Sequence, residues 1–95
     1  MTSEYDDDRA IADVYWAISG GKSLEEILDL ARKIRNPNRE EFSNDRFYPP
    51  VHKAVITGNA ALIRKLITEL NFRPDAIWTY CQNKTPAHLA VSDQI

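Results

Sequence analysis

Two segments of this chain, PPVHKAV (Pro49–Val55) and TPAHLAV (Thr85–Val91), repeat the pattern Pro-x-His-x-Ala-Val at an offset of 36 residues. A third, VYWAI (Val14–Ile18), precedes VHKAV by 37 residues and keeps the Val, the Ala and an apolar last residue. Recurrence at roughly 35 residues is the mark of an array. One supersecondary unit is too small to bury its own apolar face, so copies must stack. This constraint points to a short helical solenoid before any single element is considered.

The local signals agree with helices in pairs. From Arg9 to Ser19 the residues Ile11, Val14, Tyr15 and Ile18 recur at helical spacing, and Gly20-Gly21 ends that run. Ser23 and Glu26 form a capping box. It opens a helix from Leu24 to about Ile34, with Leu24, Ile27, Leu28, Ala31 and Ile34 on one face. Asn36-Pro37-Asn38 breaks it. Residues 38–48 read as a loop. Val51–Thr57 is a short helix closed by Gly58, and Ala60–Leu70 a second one. Asn71–Asn83, rich in aromatics and holding Pro74, reads as a long loop with a short strand within it. Thr85 as N-cap and Pro86 at the first helical position start a last helix. The acidic run Asp6-Asp7-Asp8 fits either a solvated tail or a helix N-terminus favoured by the dipole.

Length and composition bound the function classes. Ninety-five residues make one domain or part of one. A net charge of −2 speaks against a nucleic-acid binder, which carries a basic face. No apolar run reaches the roughly 18 residues of a membrane span, and the start MTSEYDDDR lacks a basic leader region. The single cysteine, Cys81, excludes an internal disulfide and fits a reducing compartment. The expectation is an intracellular protein, cytoplasmic or nuclear.

TPAHLAV and VHKAVITGNAALIRKLI (Val51–Ile67) resemble the ankyrin repeat family, whose repeat runs Thr-Pro-Leu-His-x-Ala, then Gly, then a second helix. AIWTYCQNKTPAHLAV is similar to the long-loop early repeats of inhibitor-of-NF-kappa-B proteins. Asn83 stands where the family has a turn glycine, and Asn tolerates the left-handed conformation. Pro49 replaces the family's Thr, which leaves His52 without a hydroxyl partner. The resemblance implies an all-α fold, a short ankyrin-type solenoid of stacked helix-turn-helix repeats. Its expected parts are a frayed acidic terminus (1–8), a degenerate capping repeat with its loop (9–47), a full repeat with a long loop (48–84), and the first helix of another repeat (85–95).

Catalytic readings are weaker than structural ones at each candidate. His52 and His88 occupy the motif position, where the imidazole bonds near a helix start. Cys81 with His88 is two ligands short of a zinc site, and a nucleophilic Cys81 lacks a base. Glu25-Glu26 and Glu40-Glu41 are adjacent pairs, which do not share a helix face. Gly20-Gly21-Lys22-Ser23 follows a helix, unlike a phosphate-binding loop. No enzyme activity, cofactor or metal is expected. The basic residues Arg32, Lys33, Arg35 and Arg39 near a helix C-terminus offer an alternative, nucleic-acid-associated role.

The expected function is therefore protein–protein interaction by a scaffold or regulator. The resemblance implies contact residues at the turn tips and inner helices: Asp45, Arg46 and Tyr48, then Ile56 and Thr57, then Cys81, Gln82 and Lys84. Ile56 and Tyr48 are the expected hot spots. The large apolar set Trp16, Phe72, Ile77, Trp78 and Tyr80 either packs the long loop onto the helices or anchors a partner. Leu89, Val91 and Ile95 expect a following helix. The sequence-level expectation is either a fragment of a longer array or a homodimer through that end.

Overall fold

Most of the helix ends fall where a cap or a left-handed residue satisfies the backbone. The computed structural model describes residues 3–43, 47–79 and 82–88. Helix α1 (Ser3–Ser19) stops at the Gly20-Gly21 pair, where Gly21 turns left-handed at φ +73°. Helix α2 (Leu24–Ala31) opens on the full capping box: Ser23 Oγ accepts from Glu26 N, and Glu26 reaches back to Ser23 N at 3.2 Å. These bonds hold the Glu26 carboxyl below its ordinary range, the backbone bond most of all. Helix α3 (Pro50–Thr57) closes on Gly58 at φ +74°. Asn59 then caps α4 (Ala60–Thr68) through its side chain on Leu62 N at 3.1 Å.

Short connections within each pair, α1–α2 and α3–α4, set the helices side by side in two layers. Helix α1 packs on α2 and α3 on α4, while α1 also meets α3 and α2 meets α4. The core runs between the layers. Ile11, Val14, Ile27, Leu28, Val51, Ala54, Leu62 and Leu66 are all buried there, at the helical spacing read from the sequence. The described residues are thus mostly helical, in helix-turn-helix pairs.

Two features depart from the expected elements. Residues 38–48 are not wholly loop, and the short strand expected within 71–83 has its partner there. Strand β1 (Glu41–Phe42) pairs in parallel with β2 (Ile77–Trp78), matching Glu41 to Ile77 and Phe42 to Trp78. Ile77 N donates to Glu40 O at 2.9 Å, and Thr79 Oγ1 donates to Phe42 O at 3.2 Å. Phe42, Phe72 and Trp78 turn into the core, so for Phe72 and Trp78 packing is the role found. In the polar segment 38–48 a two-residue strand leaves too little alternation to be read in advance.

The other departure is at the N-terminus, expected to be frayed through residue 8. Helix α1 already begins at Ser3, and Asp7 is only 1% exposed. Its carboxylate accepts from Arg35 N at 2.8 Å and Asn36 N at 3.3 Å, and it pairs with the Arg39 guanidinium. Arg39 in turn donates to Asn36 O at 3.0 Å and lies 4.9 Å above the Phe42 ring. A buried carboxylate with three donors is compensated, but stripping away its partners would leave an isolated buried charge. We expect Arg39→Ala to lower the unfolding free energy by about 3–5 kcal/mol, the cost of orphaning a buried charge. Asp7→Ala combined with Arg39→Ala should cost less than the two single losses added. Urea denaturation of the four species checks this, and additive losses would show that the pair does not act as a unit.

Candidate functional site

The repeated His motif can be compared with itself. Thr85 and His88 form a capping box in which histidine takes the third-position role. His88 N donates to Thr85 Oγ1 at 3.3 Å. Thr85 N donates to His88 Nδ1 at 3.2 Å, with Thr85 Oγ1 2.9 Å from the same nitrogen. At the earlier copy Pro49 is the N-cap and makes no side-chain cap bond. Proline supplies neither a hydroxyl nor an N–H. His52 is wholly buried, and its Nδ1 has no hydrogen-bond partner.

The other nitrogen of His52 is engaged. Nε2 lies 2.9 Å from the Lys84 carbonyl oxygen. A carbonyl can only accept, so Nε2 carries the proton and the neutral ring leaves Nδ1 bare. Burial pushes the imidazole pKa below its ordinary value, and the Lys84 bond offsets part of that. Trp78 N donates to the same Lys84 oxygen at 2.9 Å. The turn between them passes through Gln82 and Asn83, both left-handed at φ +58° and +57°. Asn83 thus takes the conformation expected of a residue standing for glycine. His52 is thus a buried fastener between α3 and the Lys84 turn, whereas His88 caps its helix from an exposed position.

Beside them runs a continuous band of aromatic rings. Tyr48 packs on Trp78 at 4.7 Å between centroids and stacks parallel to Tyr15 at 6.3 Å. Tyr15 meets Phe47 at 5.1 Å and Trp16 edge-on at 5.2 Å, and Trp16 reaches Phe47 at 5.9 Å. The Lys53 ammonium sits 4.4 Å from the Tyr15 ring and 5.9 Å from that of Tyr48. Trp16 is 61% exposed, the one large apolar side chain so open among the described residues. Helix geometry explains it. Trp16 lies two residues from buried Val14 and from buried Ile18, roughly 200° around the helix from each.

The expected contact residues divide accordingly. Tyr48 belongs to the band but is half-buried and packed against the core, so it serves folding as well as any partner. Ile56 is half-exposed and outside the packed core, one helical turn from Lys53 on the same face. The Thr57 hydroxyl turns back onto its own helix, donating to Ala54 O at 3.0 Å. Gln82 is exposed, and Lys84 is half-buried with its carbonyl occupied. Asp45, Arg46, Cys81, Tyr80, Leu89, Val91 and Ile95 lie outside the described residues. Tyr15, Phe47 and Lys53 were absent from the expected set. Their signal was the adjacent pairs Tyr15-Trp16 and Phe47-Tyr48, since neighbouring residues cannot all face one core.

At least two of the four basic cluster residues are paired with carboxylates. Arg32 binds Asp29 at 2.7 Å and Arg39 binds Asp7. Lys33 and Arg35 line a shallow cleft with Arg9, but Asp13 shares it. A concavity of about 400 Å³ beside Phe72 is lined by Arg73 and Asp75, bonded at 3.1 Å. That bond raises the Arg73 pKa and lowers that of Asp75. Among the described residues no group of three or more His, Cys, Asp or Glu could hold a metal, and no helix is long and apolar enough to cross a membrane. Comparison with protein-family models, curated proteins and solved structures finds no match to this chain.

Two expected outcomes follow from His52. Pro49→Thr should give Nδ1 the N–H and hydroxyl that Thr85 gives His88. Relieving an unsatisfied buried acceptor is worth about 1–3 kcal/mol, against about 0.4–1 kcal/mol for losing proline's restriction of the unfolded chain. The net gain should be about 1 kcal/mol, a rise of roughly 4–8 °C in melting temperature for a domain this size. An unchanged or lower melting temperature would show that Nδ1 is not the liability. The second outcome concerns pH. The folded pKa of His52 is below the unfolded value of about 6.5, so the unfolded chain takes up the proton first. Stability is therefore full above about pH 6.5 and falls as pH drops towards the folded pKa. His52→Gln should flatten that part of the profile, as read by urea midpoints at a series of pH values.

Proposed function

We propose that this chain is a non-enzymatic protein-binding module, an ankyrin-type helical repeat acting as an intracellular scaffold or regulator. The observation that carries the binding reading is the band Trp16, Phe47, Tyr15, Tyr48, with Trp16 left open to solvent. Trp and Tyr held rigidly at a surface are the side chains that dominate interface energetics. The repeat reading draws support from register. Strands β1 and β2 pair at an offset of 36 residues, the same offset that separates His52 from His88. Side-by-side pairs α1–α2 and α3–α4 are the arrangement such repeats take. The nucleic-acid alternative is disfavoured by the net charge of −2 and by the partial burial of Arg39 against Asp7.

The contact set differs in emphasis from the turn-tip residues alone. Ile56 remains in it, and Trp16 joins it. Tyr48→Ala should cost about 1–3 kcal/mol of stability through lost packing on Trp78 and Tyr15, so it cannot report on binding alone. A photo-crosslinking residue, p-benzoylphenylalanine, placed at position 16 in the cells that make the protein should capture discrete protein partners. The same residue at position 64, exposed on α4, should not. Ile56→Glu should reduce the position-16 products at least about tenfold, the effect of roughly 1.4 kcal/mol, with the melting temperature unchanged. Equal capture at both positions, or products that are nucleic acid, would overturn the reading.

A further inference from the structure

The aromatic band contains a cation that has no counter-ion among the described residues. Lys53 stands over the Tyr15 ring and close to Tyr48. Among the described residues it forms no ion pair, although Arg32, Arg39, Lys65 and Arg73 all do. Nor does a carboxylate belong to the band itself, whose members are Tyr15, Trp16, Phe47, Tyr48 and Lys53. The band thus carries one described positive charge on a chain whose net charge is −2.

From this arrangement we infer that the partner segment taken by this surface carries a carboxylate beside a large apolar side chain. The inference rests on the protein-binding reading above and adds the chemistry of the ligand. A partner that covers Trp16 and Phe47 also covers the ring face of Tyr15, and with it the ammonium of Lys53. A covered ammonium must be paired or it opposes binding. A carboxylate at that point gains a charge-assisted bond and keeps Lys53 against Tyr15. The apolar side chain then takes the water-exposed area of Trp16, with Ile56 one turn along α3 from Lys53 extending the contact. A basic or a purely apolar segment would leave Lys53 repelled or unpaired, so the same residue both attracts and discriminates.

The test pans a phage-displayed library of random 12-residue peptides on the full chain and measures the selected peptides by fluorescence anisotropy. Selected sequences should place Asp or Glu within three residues of Trp, Phe, Leu or Ile. Binding should weaken at least about tenfold in Lys53→Glu, and also in Lys53→Met, which keeps the stem over Tyr15. Lys53→Arg should stay within about threefold, and panning on Lys53→Glu should turn the selection towards Lys and Arg. Far-UV circular dichroism guards against unfolded variants. Peptides that are lost in Trp16→Ala but lack carboxylates and ignore Lys53→Glu would overturn this inference and leave the docking surface standing. Failure to select any peptide sensitive to Trp16→Ala or Ile56→Glu would remove both. So would a random-sequence DNA duplex that binds more tightly and displaces the peptides.

Discussion

One carbonyl oxygen joins the C-terminal half of this structure. Lys84 O accepts from His52 Nε2 on α3 and from Trp78 N on β2, each at 2.9 Å. An amide oxygen has two lone pairs, and both are used. Each bond alone is worth only about 0.5–1.5 kcal/mol net, but they act on elements that would otherwise be independent. The His52 bond sets the start of the Thr85-Pro86 helix over the start of α3. The Trp78 bond holds the indole in the core, where it supports Tyr48 at 4.7 Å. Tyr48 in turn faces Tyr15. The exposed end of the aromatic band is thus positioned, ring by ring, from a main-chain contact in the long loop.

The N-terminal pair solves the same joining problem with different chemistry. No His motif is present before Pro49, and there a buried carboxylate does the tying. Asp7 on α1 takes the backbone N–H groups of Arg35 and Asn36, just beyond α2. A neutral imidazole can be buried at modest cost even with one nitrogen bare. A carboxylate cannot, which accounts for the third donor, Arg39, and for the stacking of Arg39 on Phe42. Phe42 belongs to β1, so this second fastener also reaches the strand that pairs with β2.

Legibility in the sequence followed the range of the interactions. Helix starts and stops set by neighbours three or four residues away were readable: Ser23 with Glu26, Gly58, and Thr85-Pro86 all took their expected roles. So was the missing hydroxyl at Pro49, because the repeat supplied its own comparison. What escaped depended on partners about 30 or more residues distant. The Asp7–Arg35 bond spans 28 positions, and the β1–β2 pairing spans 36; neither leaves a local pattern. Tyr48 was foreseen as a contact residue but not as a packing residue, since its neighbours Tyr15 and Trp78 come from both directions along the chain. Trp16 was recognised as one of several large apolar groups. Only its phase against the Val14–Ile18 stripe distinguishes it from Trp78 and Phe72, which went inside.

That phase bears on why the tryptophan is there. The core of α1 is complete with Ile11, Val14, Ala17 and Ile18. Folding requires nothing large at position 16, where a polar residue would keep the helix and the core intact. Leaving an indole in water forgoes about 1.5–3 kcal/mol of burial that folding does not recover, and it adds an apolar patch that invites association. The ring is also not loose: Tyr15 and Phe47 hold it edge-on on two sides, so little freedom is left to lose when something covers it. An open apolar ring, close to an ammonium that forms no ion pair among the described residues, adds little to stability and suits the binding role proposed.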